Sequence, residues 1–507
     1  MALFSPSQAQ DRTPPDEGAD AVQVSEAQRD VRGTLRSVWP WPALATLALT
    51  VYQIGLPQMW EDELISWDVA SRSTEQLLAV VRQVDAALGT YYLFLHGWMA
   101  VFGDSAPALR MPSALAMAGT AACVALIGQR LFGRRAGLFG GLVFALIPVV
   151  TRYAHEARPY ALVVLAVALA TLLLLRALDR PESRWRWTGY ALCVGAIGLL
   201  HVVALTALAG HLVAVLMRIR SERSVAWRFC LAAMTGVACA APVVLLGMEQ
   251  ATRQITWIPK PDMWTLINFW PQLYASALAA GAVMTLAVLA WRGRRDAVLF
   301  VIALAVLPPL VVWAVSHGEV SYFFYRYLLF ILPAWAVLAG AGLTAVRSRA
   351  AVAAALVVLA LLTLPEQQGV RKPYAHFWEG LDYAGAARTI QKAHRPGDAV
   401  VYDRGDDAGR RLDVGVRFYL PRDLQLRDVF RSASAAERNG LWSAECPDPA
   451  ACVRDERRIW LVVAGNVPDP LRWGLPGDQS QALRARYTAT GTEHLTGLTV
   501  TLLQRNP

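Results

Sequence analysis

Trp60, Glu61, Asp62 and Glu63 stand together just after an uncharged apolar run, about Val38 to Leu56. Carboxylates at a membrane boundary are costly unless they are solvated, paired or used. One that is used can take a proton from a hydroxyl or face a developing positive charge. A second titratable cluster, Thr151 to Tyr160, holds His155, Glu156 and Arg158. A third runs from Ser316 to Tyr327 and ends in Tyr325, Arg326 and Tyr327. Asp85, Tyr91 and Tyr92 follow the first acids, and His201 interrupts a long apolar stretch. Acids set among arginines suit a reaction in which a hydroxyl loses a proton while an anionic group departs.

The elements that must position these residues are membrane spans. Of the 507 residues 55% are apolar and only 17% are charged, with mean hydropathy +0.35. Uncharged runs near bilayer length recur from Val38 to Leu364, which no soluble domain needs in such number. About eleven transmembrane helices are expected: Val38 to Leu56, Pro107 to Leu131, Ala136 to Val150, Pro159 to Leu178, Trp187 to Leu200, Val202 to Met217, Phe229 to Gly247, Leu273 to Trp291, Ala297 to Val315, Leu328 to Val346 and Ala350 to Leu364. Arginine clusters at Arg130 to Arg135, Arg176 to Arg186, Arg218 to Arg228, Arg292 to Arg295 and Arg347 to Arg349 mark cytoplasmic loops, since basic residues in short loops stay inside. They alternate if Trp187 to Met217 is a hairpin turning near His201. The N-terminus is then cytoplasmic in a plasma or inner membrane, and all three clusters face outward.

The net charge of +9 is largely this topological arginine, which anchors loops beside anionic lipid and gives no reason to expect nucleic acid. Residues 1–37 read as a disordered cytoplasmic tail; no cleavable signal peptide is expected, the first apolar run being too long and too far in. Residues 38–364 form the membrane domain, with an outer loop at 57–106 whose acids and aromatics suit an amphipathic element. Residues 365–507 regain charge and proline and read as a small extracytoplasmic α/β domain, with a helix at Tyr383 to Ala393 and strands at Asp398 to Tyr402, Arg458 to Val463 and Leu498 to Leu503. Cys446 and Cys452 there are spaced for a local disulfide or, less suitably, for zinc, since no second Cys or His pair lies at ligand spacing.

Several runs together resemble a known family: Trp60 to Glu63, Asp85 with Tyr91 and Tyr92, Phe102 to Ser113, Arg152 to Tyr160, and Tyr325 to Tyr327 ahead of Pro333. They look like the GT-C glycosyltransferases, and more narrowly like bacterial relatives of protein O-mannosyltransferase and of the lipid A aminoarabinose transferase. The resemblance implies transfer of a sugar, mannose first and arabinofuranose next, from a polyprenyl-phosphate donor to an envelope glycan, lipid or protein hydroxyl. It makes Asp62 the catalytic base. Glu63 and Glu156 would hold acceptor, sugar or each other, and Arg158 and Arg326 would clamp the donor phosphate bidentately. His155, His201, Asp85, Tyr91, Tyr92 and Tyr327 complete the substrate-binding set. Asp85 is followed by Ala86 and Ala87 where relatives often carry His-Pro, a departure that bears on its role. No cofactor is expected; a divalent cation would have only Asp62, Glu63, Asp85 and Glu156 to hold it.

Each residue also has a plainer account. Asp62 and Glu63 could solvate a loop end, Arg158 and Arg326 could snorkel, and His201 could be a core histidine. A lipid-sugar flippase or transporter is the competing function, but transporters usually place ionisable groups near the midplane of two repeated halves, whereas here the charges gather at one face. A non-catalytic assembly factor would have no need of Asp62. The topology makes one prediction: a reporter fused after Pro507 is active only outside the cytoplasm, and cytoplasmic activity would put the span count wrong by an odd number.

Overall fold

Lipid offers no hydrogen-bond partner to a peptide group, so the apolar runs can satisfy their backbone only as helices. In a computed structural model that describes residues 38–375, 380–405 and 410–507, all eleven apolar segments are helical. Seven helices are long and apolar enough to cross a membrane, from Ala106–Phe132 to Arg349–Gly369, and two bent pairs bring the number to nine. The other two segments are shorter helices, Pro40–Val51 of 12 residues and Arg184–Leu200 of 17. The tail expected at 1–37 lies outside the described residues.

Both bends have local causes. Arg134–Leu146 and Pro148–Ala154 meet at 65° because Ile147, which precedes a proline, is pushed out of helical geometry to ψ 121°. Met263–Tyr274 and Ala277–Arg292 meet at 95°, where Ala275 turns left-handed (φ 54°) and the Ser276 hydroxyl caps the second helix by accepting from the Ala279 amide. The chain also breaks at His201, which is extended between Arg184–Leu200 and the 3-10 turn Val202–Thr206.

Chain contacts divide the molecule into two compact units that do not follow chain order. The membrane unit comprises residues 38–52, Met111–Ala154 and Pro159–Gln367. Its helices approach closely through glycines: a Cβ on Gly340 of Leu332–Thr344 would overlap the Gly140 backbone of Arg134–Leu146, and one on Gly342 would overlap the Leu286 carbonyl. Small residues at such crossings are how helices associate in lipid, where no hydrophobic force draws them together.

The second unit comprises Gln53–Arg110, His155–Arg158 and Gln368–Pro507. The segment after the first apolar helix folds into three helices: Glu61–Ala70; Thr74–Gln83, opened by a Ser73/Gln76 capping box; and Ala86–Phe102. The C-terminal part carries the expected helix at Tyr383–Ala393. Its seven strands are β1 (Ala399–Tyr402), β2 (Arg427–Asp428), β3 (Arg431–Ala433), β4 (Ala444–Glu445), β5 (Arg458–Ala464), β6 (Tyr487–Leu495) and β7 (Leu498–Arg505). A five-stranded sheet runs β2-β1-β5-β7-β6, with β1 parallel to β2 and β5, and β7 antiparallel to β5 and β6. Val401, Ile459, Leu461, Val463 and Leu503 form its core with Phe430 and Leu483. Absent from the sequence reading are β2, β3 and β4, each only two or three residues long, and β6, an exposed edge rich in threonine with no alternating apolar face. Cys446 and Cys452 are joined in a disulfide.

The glycine crossings carry a prediction for the membrane unit. Gly340→Val inserts a branched side chain where backbone already touches backbone, and overpacking of this kind costs roughly 1–3 kcal/mol or more. Thermal unfolding of the purified variant in detergent should show a clear fall in midpoint, and an unchanged midpoint would mean the crossing can open without cost.

Candidate active site

The helix Glu61–Ala70 begins after Trp60, whose extended backbone (φ −102°, ψ 173°) stops any helical continuation backwards. All three acids, Glu61, Asp62 and Glu63, fall in its first turn, where unsatisfied N–H groups and the helix dipole favour negative charge. Successive helical residues point about 100° apart, so neighbours in sequence face different surroundings. Asp62 is half-buried, whereas Glu63 is fully buried.

Glu63 is held by Arg110. The Arg110 Nε donates to Glu63 Oε1 at 2.8 Å and Nη2 donates to Oε2 at 2.6 Å, a bidentate pair with no exposure on either side chain. The same guanidinium donates from Nη1 to the Ile54 and Pro57 carbonyls at 2.9 and 2.7 Å, and from Nη2 to the Gln58 carbonyl at 3.1 Å. A guanidinium has five N–H bonds, and each has an acceptor here. Arg110 thus fixes the turn before the acidic helix and the helix itself in one constellation.

Glu63 then carries the arrangement to a third segment. Its Oε1 also accepts from the Ala157 amide at 2.8 Å, which pins the short run His155–Arg158 against the helix. Arg158 is thereby placed beside Asp62: its Nη2 lies 3.8 Å from Asp62 Oδ2, and its Nη1 donates to the Asp62 carbonyl and the Ser66 hydroxyl at 3.4 and 3.3 Å. His155 and Glu156 are buried in the same run. The Tyr91 hydroxyl is buried with no hydrogen-bond partner among the described residues. Burial pushes its pKa well up, opposed by Arg158 and reinforced by Glu63 and Glu156, so Tyr91 feels the charges of the same centre. Asp85 is buried and accepts from the Tyr92 hydroxyl at 2.6 Å.

The second unit therefore gathers Asp62, Glu63, Asp85, Tyr91, Tyr92, His155, Glu156 and Arg158. Glu63 and Asp85 are bonded within the protein. The Glu63 oxygens accept three hydrogen bonds from the protein itself, which makes this carboxylate a fastener between segments, and Asp85 is engaged by Tyr92. Arg110 and Ser66 are the residues that sequence reasoning passed over. Arg110 lay within the run Phe102 to Ser113, but nothing local distinguishes an arginine that closes on a carboxylate 47 positions away.

The membrane unit gathers the rest. The Arg326 Cζ lies over the rings of Phe324 at 5.0 Å, Trp257 at 5.6 Å, Tyr160 at 5.7 Å and Tyr327 at 5.9 Å. His201 packs on Tyr327 with ring centroids 4.6 Å apart and on Tyr160 at 6.1 Å. Aromatic faces hold a guanidinium by cation–π attraction, and four rings surround that of Arg326. Among the described residues no three His, Cys, Asp or Glu side chains converge as a metal-ion site.

The Arg110–Glu63 pair carries a prediction. Removing one member of a buried pair leaves an uncompensated charge and costs roughly 3–5 kcal/mol. Glu63→Gln and Arg110→Gln should each lower the unfolding midpoint sharply, while the double variant should lose less than the sum of the two, because neither charge remains. Strictly additive losses would show that the two residues act independently.

Residues 89–246 match the family described as dolichyl-phosphate-mannose-protein mannosyltransferase. The structure is similar to that of ArnT from Cupriavidus metallidurans in the apo state, at 13% identity and a TM-score of 0.62, covering 91% of this chain and 97% of that one. It is similar at TM-score 0.61, 13% identity and the same coverage to ArnT from the same organism bound to undecaprenyl phosphate. A search of curated proteins finds no match. The chain is thus a multi-pass membrane protein that shares its fold with the ArnT structures and, over residues 89–246, matches the dolichyl-phosphate-mannose-protein mannosyltransferase family.

Proposed function

We propose that this protein transfers a sugar from a polyprenyl-phosphate donor to a hydroxyl of an envelope glycan, lipid or protein at the outer face of the cell membrane. The observation that carries the proposal is the Asp62 carboxylate, half-buried beside Arg158 on a helix locked by Glu63 and Arg110. In the reaction an acceptor oxygen forms a bond to the anomeric carbon while the bond from that carbon to the lipid-phosphate oxygen breaks. The acceptor loses a proton, the sugar passes through an oxocarbenium-like state, and the phosphate leaves with the bonding electrons. Asp62 takes the proton. Arg158 and Arg326 meet the phosphate charge as it grows, so no divalent ion is required.

His155, Glu156, Tyr91, Asp85 and Tyr92 serve the acceptor or sugar hydroxyls, and His201 and Tyr327 the donor side. The donor class is supported by the ArnT structure bound to undecaprenyl phosphate. Mannose is favoured by the description of the family matched at residues 89–246, with arabinofuranose next.

The test is a donor titration with purified variants. Asp62→Asn should fold normally and lower turnover by roughly 10²–10⁴, the usual share of a general base; near-normal turnover would remove Asp62 from the chemistry. In the same assay Arg326→Lys should impair donor use although the charge is kept, because a compact ammonium cannot reproduce the guanidinium fork. Curves that overlay for wild type, Arg326→Lys and Arg326→Ala would remove Arg326 from the donor site.

A further inference from the structure

Away from the Asp62 centre, the second unit contains a cleft of about 330 Å³, within the size range of small-molecule sites of about 300–1,000 Å³. Its lining includes Arg72, Arg404, Arg411, Arg417 and Arg431. Two of these have carboxylate partners and, among the described residues, no buried donor left without an acceptor. Arg404 is bound by Asp413, Asp428 and Glu445, which hold its guanidinium well above the ordinary range although burial opposes them. Arg417 pairs with Asp68.

Arg72 and Arg411 are different. Both are buried, at 7% and 5% exposure. Arg72 reaches the Gly440 carbonyl and Asp68 through its Nη atoms, and Arg411 reaches the Leu441 carbonyl through Nη1. Among the described residues the Arg72 Nε and the Arg411 Nε and Nη2 have no acceptor. Buried donors without acceptors cost free energy, and the two like charges oppose each other. Burial, with a smaller contribution from Arg72, outweighs the opposing Asp413 and Asp68 and lowers the Arg411 pKa to about 10. These unsatisfied N–H groups belong to two residues that line the cleft, whose wall also presents Trp442. The Arg411 Cζ lies 3.2 Å from the centroid of that ring, which remains 43% exposed.

We propose that this cleft binds an anionic sugar, its carboxylate or phosphate bridging the open N–H edges of Arg72 and Arg411 and its ring lying against Trp442. A planar guanidinium edge matches the two oxygens of such a group, and Ser434, Ser443 and Gln76 in the lining offer partners for hydroxyls. That the sugar belongs to the acceptor rests on the transfer reaction proposed above; the site itself does not.

The test is calorimetry on the purified full chain in detergent. The probes are a glucuronate-containing tetrasaccharide, its carboxyl-reduced neutral counterpart, a hexose 6-phosphate and inorganic phosphate. The uronate or the hexose phosphate should bind, identifying the anion, with the neutral tetrasaccharide at least about tenfold weaker, as one charge-assisted contact implies. Arg411→Gln should weaken the bound probe roughly tenfold. Trp442→Ala, at an exposed position that leaves the core intact, should weaken it several-fold. Neutral and charged probes binding alike, inorganic phosphate matching the hexose phosphate, or Trp442→Ala binding as wild type would overturn the proposal. Binding is read directly, so the result stands whether or not sugar transfer is observed.

Discussion

The second unit depends on the bidentate pair between Arg110 and Glu63. Two charges without solvent are expensive, and a buried ion pair is seldom worth more than the apolar residues that could replace it. What this pair supplies is position. Arg110 has all five donors satisfied across Ile54, Pro57, Gln58 and Glu63, and Glu63 has a third hydrogen bond, to Ala157. Three segments far apart in sequence meet through one guanidinium and one carboxylate. Loss of either would release the turn, the acidic helix and the Arg158 loop together.

That constraint separates the work of two adjacent acids. Glu63, turned inward, is occupied by the protein, and Asp62, one residue earlier, is left half-buried beside Arg158. Two adjacent acids thus differ sharply in their surroundings: Glu63 accepts three hydrogen bonds from the protein, and Asp62 keeps part of its carboxylate exposed.

The C-terminal part of the second unit reinforces the same turn. Gln58 donates to Asp382 Oδ1 at 2.7 Å and accepts from the Ala384 amide at 3.0 Å, joining the cap of helix Tyr383–Ala393, and the Tyr419 hydroxyl accepts from the Met59 amide at 2.7 Å. Burial raises the Tyr419 pKa to about 12, so it stays a neutral hydroxyl at that amide. Farther along the acidic helix, Asp68 meets Arg417 and Arg72, and these cations outweigh the effect of burial and hold it below the usual carboxylate range. The sheet domain therefore holds the helix Glu61–Ala70 and the turn before it as well as carrying its own cleft.

The sequence by itself determined much of this protein. Uncharged runs of bilayer length leave a chain only the helix, so all eleven apolar segments were legible as helices, and Tyr383 to Ala393 was placed at its observed ends. The buried strands β1, β5 and β7 were legible because apolar runs announce burial, whereas the exposed edge β6 carries no such pattern. Asp62, Glu156 and Arg158 stood out because charge beside a membrane is conspicuous. Tertiary structure alone decided which acid is fully buried and which half-buried, since that depends on Arg110 arriving from 47 residues away. It likewise set Arg326 among Phe324, Trp257, Tyr160 and Tyr327. Periodicity reports whether a residue is buried or exposed along its own element; the partner that meets it is fixed by chain closure over long separations, which no local pattern records.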